Sequence, residues 1–182
     1  KHLSSQLYLL KSYHQIKEYG STFSWYASKQ IAYILIEQEK KKEALSYLKN
    51  SFQKIKIPTV YEIFDYARFL KNNEKFEESV KYYSEVLSLI ETKHELYGQV
   101  LDGRGTAYER IDQWDKAEVD LLNSLIVSPE NAYVINYLAY SWIEKEINIK
   151  KSLKMLRKAN TLRPNDGYII DSLGWALFKL KN

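Results

Sequence analysis

Through Val100-Leu101-Asp102-Gly103-Arg104-Gly105-Thr106-Ala107-Tyr108, apolar residues return every three or four positions around a small one, and they do so again through Ile135-Asn136-Tyr137-Leu138-Ala139-Tyr140-Ser141-Trp142. That spacing puts the apolar side chains on one face of a helix. A second helical stretch follows each: Trp114-Asp115-Lys116-Ala117-Glu118-Val119-Asp120-Leu121-Leu122 after the first, and Ser152-Leu153-Lys154-Met155-Leu156 after the second. The pattern predicts a unit of helix, short turn and helix.

The unit recurs. Ala32, Ala67, Gly105, Ala139 and Gly174 stand 35, 38, 34 and 35 residues apart. A second small residue follows the first four of these after 12 positions, at Ala44, Ser79 and Ala117, or after 13, at Ser152. Seven further on lie Ser51, Val86, Ser124 and Ala159, and in two copies a proline follows, Pro129 and Pro164. Two antiparallel helices approach to about 8–10 Å between axes only where the crossing side chains leave room, so these small residues mark the crossings. Ser128-Pro129 and Arg163-Pro164 should end second helices, because the residue before proline is driven out of the helical region.

These residues resemble the tetratricopeptide repeat (TPR), and the stretch Gly98–Asn131 carries Gly105, Tyr108, Trp114, Ala117 and Pro129 in that family's order. Asp171-Ser172-Leu173-Gly174-Trp175-Ala176-Leu177 is similar to the first helix of such a repeat, as in bacterial members of the family. The resemblance covers residues 25–182 and implies an all-α fold, a right-handed superhelical solenoid of antiparallel helix pairs. The expected organisation is one repeat domain over 1–182, with full repeats at 25–59, 60–97, 98–131 and 132–166. Residues 1–24 would hold the second helix of a preceding repeat and 167–182 the first helix of a further one. The first two repeats lack the closing proline, and Ile90 to Tyr97 holds about four extra residues relative to the usual 34-residue period. An open first helix would expose Leu173, Leu177 and Leu180. The chain is therefore expected either to be a piece of a longer repeat protein or to have its ends covered by another chain, end-to-end self-association included.

Composition is that of an ordinary folded domain, with 45% hydrophobic and 27% charged residues in 182. No apolar run approaches the roughly 20 residues of a membrane helix, so no membrane insertion is expected in this segment. The net charge of +4 raises the question of nucleic acid. Lysines alternate with acids in Glu37-Gln38-Glu39-Lys40-Lys41-Lys42-Glu43 and in Lys71-Asn72-Asn73-Glu74-Lys75. Such runs solvate turns rather than form a basic stripe, and no nucleic-acid partner is expected. The absence of cysteine excludes disulfides and thiolate metal sites and fits cytoplasm or periplasm equally.

Candidate chemistry is sparse. His2, His14 and His94 show no ligand spacing, so neither metal nor cofactor is expected. Asp102-Gly103-Arg104-Gly105 lacks the third glycine and the preceding strand of a phosphate loop. No serine, histidine and acid set stands out, and the chain is expected not to be an enzyme.

The resemblance implies that first helices line an inner groove, with positions 2, 5, 9 and 12 of each repeat pointing inward. Position 2 holds Tyr26, Tyr61, Gln99, Tyr133 and Tyr168, and position 5 holds Lys29, Phe64, Asp102, Asn136 and Asp171. Position 9 holds Tyr33, Arg68, Thr106, Tyr140 and Trp175. The candidate peptide-binding residues are Tyr26, Lys29, Tyr33, Tyr61, Arg68, Asn136, Tyr140, Tyr168 and Trp175. Tyrosine and tryptophan suit binding because they give large contact area with few rotors and a polar tip. The Lys and Asn clamp of chaperone-tail binders is disfavoured, since Tyr33 stands where the Asn would be and Asp102 and Thr106 bring no cation. Two functions are compatible with the pattern: a scaffold or adaptor holding a protein or peptide partner in the groove, or the substrate-positioning or regulatory arm of an enzyme whose catalytic domain lies elsewhere.

Overall fold

The computed structural model describes residues 21–181 together with Gln6 and Tyr8. Of the second helix expected within residues 1–24, the part before Ser21 lies outside the described residues apart from those two, both helical. From Ser21 on, the described residues form nine α-helices: α1 (Ser21–Glu37), α2 (Lys41–Gln53), α3 (Val60–Asn72), α4 (Phe76–Leu89), α5 (Tyr97–Arg110), α6 (Trp114–Val127), α7 (Ala132–Glu144), α8 (Ile149–Leu162) and α9 (Gly167–Lys181). Among the described residues there is no strand. The fold is an all-α helical repeat of the TPR type.

Helix ends follow local chemistry. Thr59 and Glu62 form a reciprocal capping box at the start of α3, the Glu62 N–H donating to Thr59 Oγ1 at 3.3 Å and the Thr59 N–H to Glu62 Oε2 at 2.7 Å. Asn131 caps α7 by accepting from the Val134 N–H, and Asp166 Oδ1 accepts from the Tyr168 and Ile169 N–H groups at the start of α9. As the prolines predict, α6 stops at Val127 and α8 at Leu162, each just before its Ser-Pro or Arg-Pro step.

The turn inside each helix pair repeats as closely as the helices do. Glu39, Glu74, Asp112 and Glu146 all take positive φ, between 57° and 65°. The next residue donates its N–H back across the helix end: Lys40 to Leu35, Lys75 to Leu70, Gln113 to Tyr108 and Ile147 to Trp142, at 2.8–2.9 Å. This is the left-handed closure that satisfies the last carbonyls of a helix, carried here by acidic residues instead of glycine. The fourth turn has one more left-handed residue, Asn148, before α8, which accounts for the 13-residue interval between Ala139 and Ser152. The longer interval between Ala67 and Gly105 is absorbed in the non-helical link between α4 and α5.

The chain divides into two compact units, Lys1–Val86 and Leu87–Asn182. In the first, α1 packs on α2, and its core is aromatic: Phe52 stacks on Tyr66 at 4.5 Å between ring centroids, and Trp25 and Tyr82 meet both rings edge-on. Burial holds the Tyr66 hydroxyl well above the ordinary phenol range, with Tyr82 and Glu78 adding to the effect. Ala32, Ala44, Ala67 and Ser79 are fully buried, and the Ser79 hydroxyl donates to the Ala67 carbonyl at 2.9 Å, tying α4 to α3.

In the second unit α5 packs on α6, α7 on α8, and both α7 and α8 on α9. Leu121, Val134, Leu138 and Trp142 form one buried cluster, and Ala139, Ile143, Leu156 and Ala176 another. Gly105 sits where α5 crosses α6: a methyl there would meet Leu121 Cγ at 3.0 Å, the Ala117 carbonyl oxygen at 3.1 Å and Asp120 Cβ at 3.1 Å. Ser124 Oγ donates to the Gly98 carbonyl at 2.9 Å across the same pair. The Asp-Gly-Arg-Gly stretch is thus the middle of α5. Its Arg104 makes a two-pronged ion pair with Asp120, Nε to Oδ2 at 2.7 Å and Nη2 to Oδ1 at 2.9 Å, and Asp120 is only 4% exposed. Leu177 and Leu180 are exposed as expected, but Leu173 is half-buried against the Ala139 cluster.

Candidate functional site

In the first unit, the position-2 tyrosines Tyr26 and Tyr61 stand about half exposed on α1 and α3. Tyr33, one turn beyond Lys29 on α1, leans edge-on against Phe69 at 5.7 Å. Lys29 and Arg68 converge on one carboxylate: Lys29 Nζ donates to Asp65 Oδ2, and Arg68 Nη2 to Asp65 Oδ1 at 2.8 Å. Arg68 also lies 5.4 Å from the Phe64 ring centroid. Phe64 itself, at an expected inward position, is buried and offers no open surface. Both cations of this cluster pair with the one carboxylate, and the pairing spans two successive first helices.

In the second unit, Tyr140 of α7 and Trp175 of α9 line one cleft of about 720 Å³, together with Glu144, Ile170, Asp171, Gly174 and Phe178. Helical spacing assembles it: Glu144 lies one turn beyond Tyr140, and Asp171, Gly174, Trp175 and Phe178 fall on one face of α9. Trp175 is fixed on two sides. Its indole N–H donates to Glu144 Oε1 at 2.6 Å, and its ring stacks on Phe178 with centroids 5.4 Å apart. Its inner edge packs against the Ala139 cluster. Tyr140 is 38% exposed, and its hydroxyl is held above the ordinary phenol value by burial first, then by Glu144 and Asp171. Gly174 borders open space, since a methyl there would find nothing within 4 Å.

Two other candidates of this unit lie outside the cleft. Tyr168, at 83% exposure, is the most exposed of the position-2 tyrosines. Asn136 is half-buried, with Oδ1 shielded from solvent. Of the nine candidates, then, Lys29 and Arg68 meet at Asp65, and Tyr140 and Trp175 meet in the cleft. Asp65, Glu144 and Phe178 were absent from the sequence expectation, although Glu144 and Phe178 follow Tyr140 and Trp175 by four and three positions, the spacing that puts two residues on one helix face.

Among the described residues no group of three or more histidines and carboxylates could hold a metal ion, and no helix is long and apolar enough to cross a membrane. His94 sits in the link before α5, its Nδ1 accepting from the Leu96 N–H at 3.1 Å.

Helix pairs closed by one repeated turn, small residues at the crossings and aromatics on the first helices define a repeat protein built of helical hairpins. The repeat pattern and the fold are those of a tetratricopeptide-repeat protein. A curated relative described as a TPR repeat-containing protein, from Pseudomonas aeruginosa, is 28% identical over 120 residues, 62% of this chain. The chain spans only 18% of that relative's length. No protein-family model matches the chain. Among solved structures, the anaphase-promoting-complex hetero-tetramer Cut9–Hcn1 aligns with a TM-score of 0.69 at 17% identity, over 86% of this chain and 32% of that one. The first TPR of Spaghetti, solved bound to an HSP90 peptide, aligns at 0.59 with 14% identity, over 68% of this chain and 94% of that one. At these identities the two structures share the fold.

Proposed function

We propose that the chain is a protein-interaction module whose first helices hold a peptide or partner helix, as a scaffold or adaptor does. The observation that carries the reading is the cleft at Tyr140 and Trp175. Two aromatic side chains from successive first helices, one of them fixed by a hydrogen bond and a stacked ring, offer a rigid surface with polar tips. Rigid aromatics bind at low entropic cost because few rotors remain to be frozen. The solved Spaghetti repeat with its bound peptide supports peptide binding as something this fold can do. The Lys29 ammonium, already engaged by Asp65, is a poor clamp for a terminal carboxylate, which argues for a different ligand chemistry.

The test begins with affinity capture on the full chain to name a partner, followed by titration of that purified partner. Tyr140→Ala combined with Trp175→Ala should weaken binding by about thirtyfold or more, the scale of an interface hot spot. Far-UV circular dichroism should show helix content retained. Undiminished affinity would remove the groove assignment.

A further inference from the structure

The cleft between α7 and α9 has a charge pattern that the rest of the molecule does not prepare for. Its lining contains two carboxylates, Glu144 and Asp171, and no basic residue, in a chain that carries net charge +4. Among the described residues Asp171 makes no ion pair, and Glu144 spends one oxygen on the Trp175 indole N–H. In the first unit, by contrast, the Asp65 carboxylate between first helices is paired with both Lys29 and Arg68. The aromatic walls add to the same preference, because the face of a tryptophan, tyrosine or phenylalanine ring attracts a cation. The Trp175 ring already has one at 5.5 Å, Lys179, whose ammonium is held outside the cleft lining by Glu146 at 3.2 Å. The pKa of the Tyr140 hydroxyl at the cleft wall is raised by burial first, and Glu144 and Asp171 add to that rise.

We propose that this cleft takes a basic side chain, a lysine or arginine of a partner peptide, with the aliphatic stem against the Trp175 and Phe178 rings and the charged head toward Glu144 and Asp171. The assignment rests on the interaction reading above and narrows it to a ligand class. Long basic side chains suit such a place because their stems bury apolar area while their heads keep polar partners. A neutral aliphatic side chain would gain the ring contacts and leave both carboxylates uncompensated, and an acidic one would be repelled.

The experiment uses the full chain, labelled with ¹⁵N, and short glycine-serine peptides that differ only in a central arginine, lysine, norleucine or glutamate. The readout is the indole N–H resonance of Trp175, assigned by its loss in Trp175→Phe. Both basic peptides should shift it saturably, and added salt should weaken the effect. Norleucine should bind about fivefold or more weakly and glutamate not at all, since an exposed ion pair and a cation over a ring are each worth a few-fold. Glu144→Gln combined with Asp171→Asn keeps the shape and the indole acceptor, so it should stay folded and bring the basic peptides down to the norleucine level. Equal response to norleucine, no saturable response to either basic peptide, or full binding by the double variant would each overturn the proposal. If Tyr140→Ala/Trp175→Ala abolishes partner binding while the indole signal ignores basic peptides, the basic-ligand assignment falls and the interaction reading stands.

Discussion

Gly105 and Gly174 hold the same place in the repeat pattern, the small residue of a first helix, yet their surroundings are opposite. Gly105 is enclosed: Leu121, the Ala117 carbonyl and Asp120 fill the space where a side chain would be. Gly174 looks into the open cleft, where a methyl would meet nothing within 4 Å. The same residue type thus lets a helix close in at one site and merely borders open space at the other. A repeat signature alone does not separate these two uses, because it records size and not what fills the space.

The largest effect should come at the closed site. Asp120→Ala leaves the Arg104 guanidinium, itself mostly buried, without its carboxylate, and losing one partner of a buried pair costs about 3 kcal/mol. Urea unfolding followed by circular dichroism would measure it. A loss below about 1 kcal/mol, the range of surface pairs, would show that the Arg104–Asp120 pair adds little to the hold of α5 on α6. Next in size, Gly105→Ala should destabilise by about 1–3 kcal/mol, because one of the crowding atoms is a backbone oxygen that cannot rotate away. Gly174→Ala should move the other way, stabilising by about 0.5–1 kcal/mol through lower chain entropy and better helix propensity. If the two glycine variants shifted stability in the same direction, the contrast between a filled and an open site would be lost.

Much of the architecture could be read from sequence because it is written in residues with a single mechanical role. Ala32, Ala44, Ala67, Ser79, Ala117, Ala139 and Ser152 are all fully buried, as crossing residues must be, and Pro129 and Pro164 sit just past the helix ends they enforce. Left-handed turn residues were not legible, because Glu39, Glu74, Asp112 and Glu146 replace the glycine that usually announces such a closure. Ion pairs were equally hidden. Arg104 finds Asp120 across 16 residues and Lys29 finds Asp65 across 36, separations at which charge patterning on one helix says nothing. The cleft was half legible: position counting reached Tyr140 and Trp175, while Glu144 and Phe178 needed the observation that residues a turn farther on share the same face.

The smallest expected effect concerns the Tyr140 hydroxyl, and it tests the open site without any ligand. Burial is the first cause of its raised pKa, and Glu144 and Asp171 add to it by disfavouring a phenolate beside two negative charges. Neutralising both, as Glu144→Gln with Asp171→Asn, removes the second contribution and leaves the first. The midpoint should therefore fall yet stay above the ordinary phenol value of about 10. Tyrosine ¹³Cζ shifts followed against pH, with the resonance assigned through Tyr140→Phe, would show it. The sign for folding follows: a hydroxyl kept neutral by the fold contributes stability fully below the unfolded phenol value, and that contribution fades as pH rises through the folded one. Gly174→Ala should leave the Tyr140 midpoint nearly unchanged, because a methyl with nothing within 4 Å desolvates little. A midpoint that ignored the loss of both carboxylates would mean that they do not face Tyr140 in solution, and the negative field expected to draw a basic side chain into the cleft would be absent.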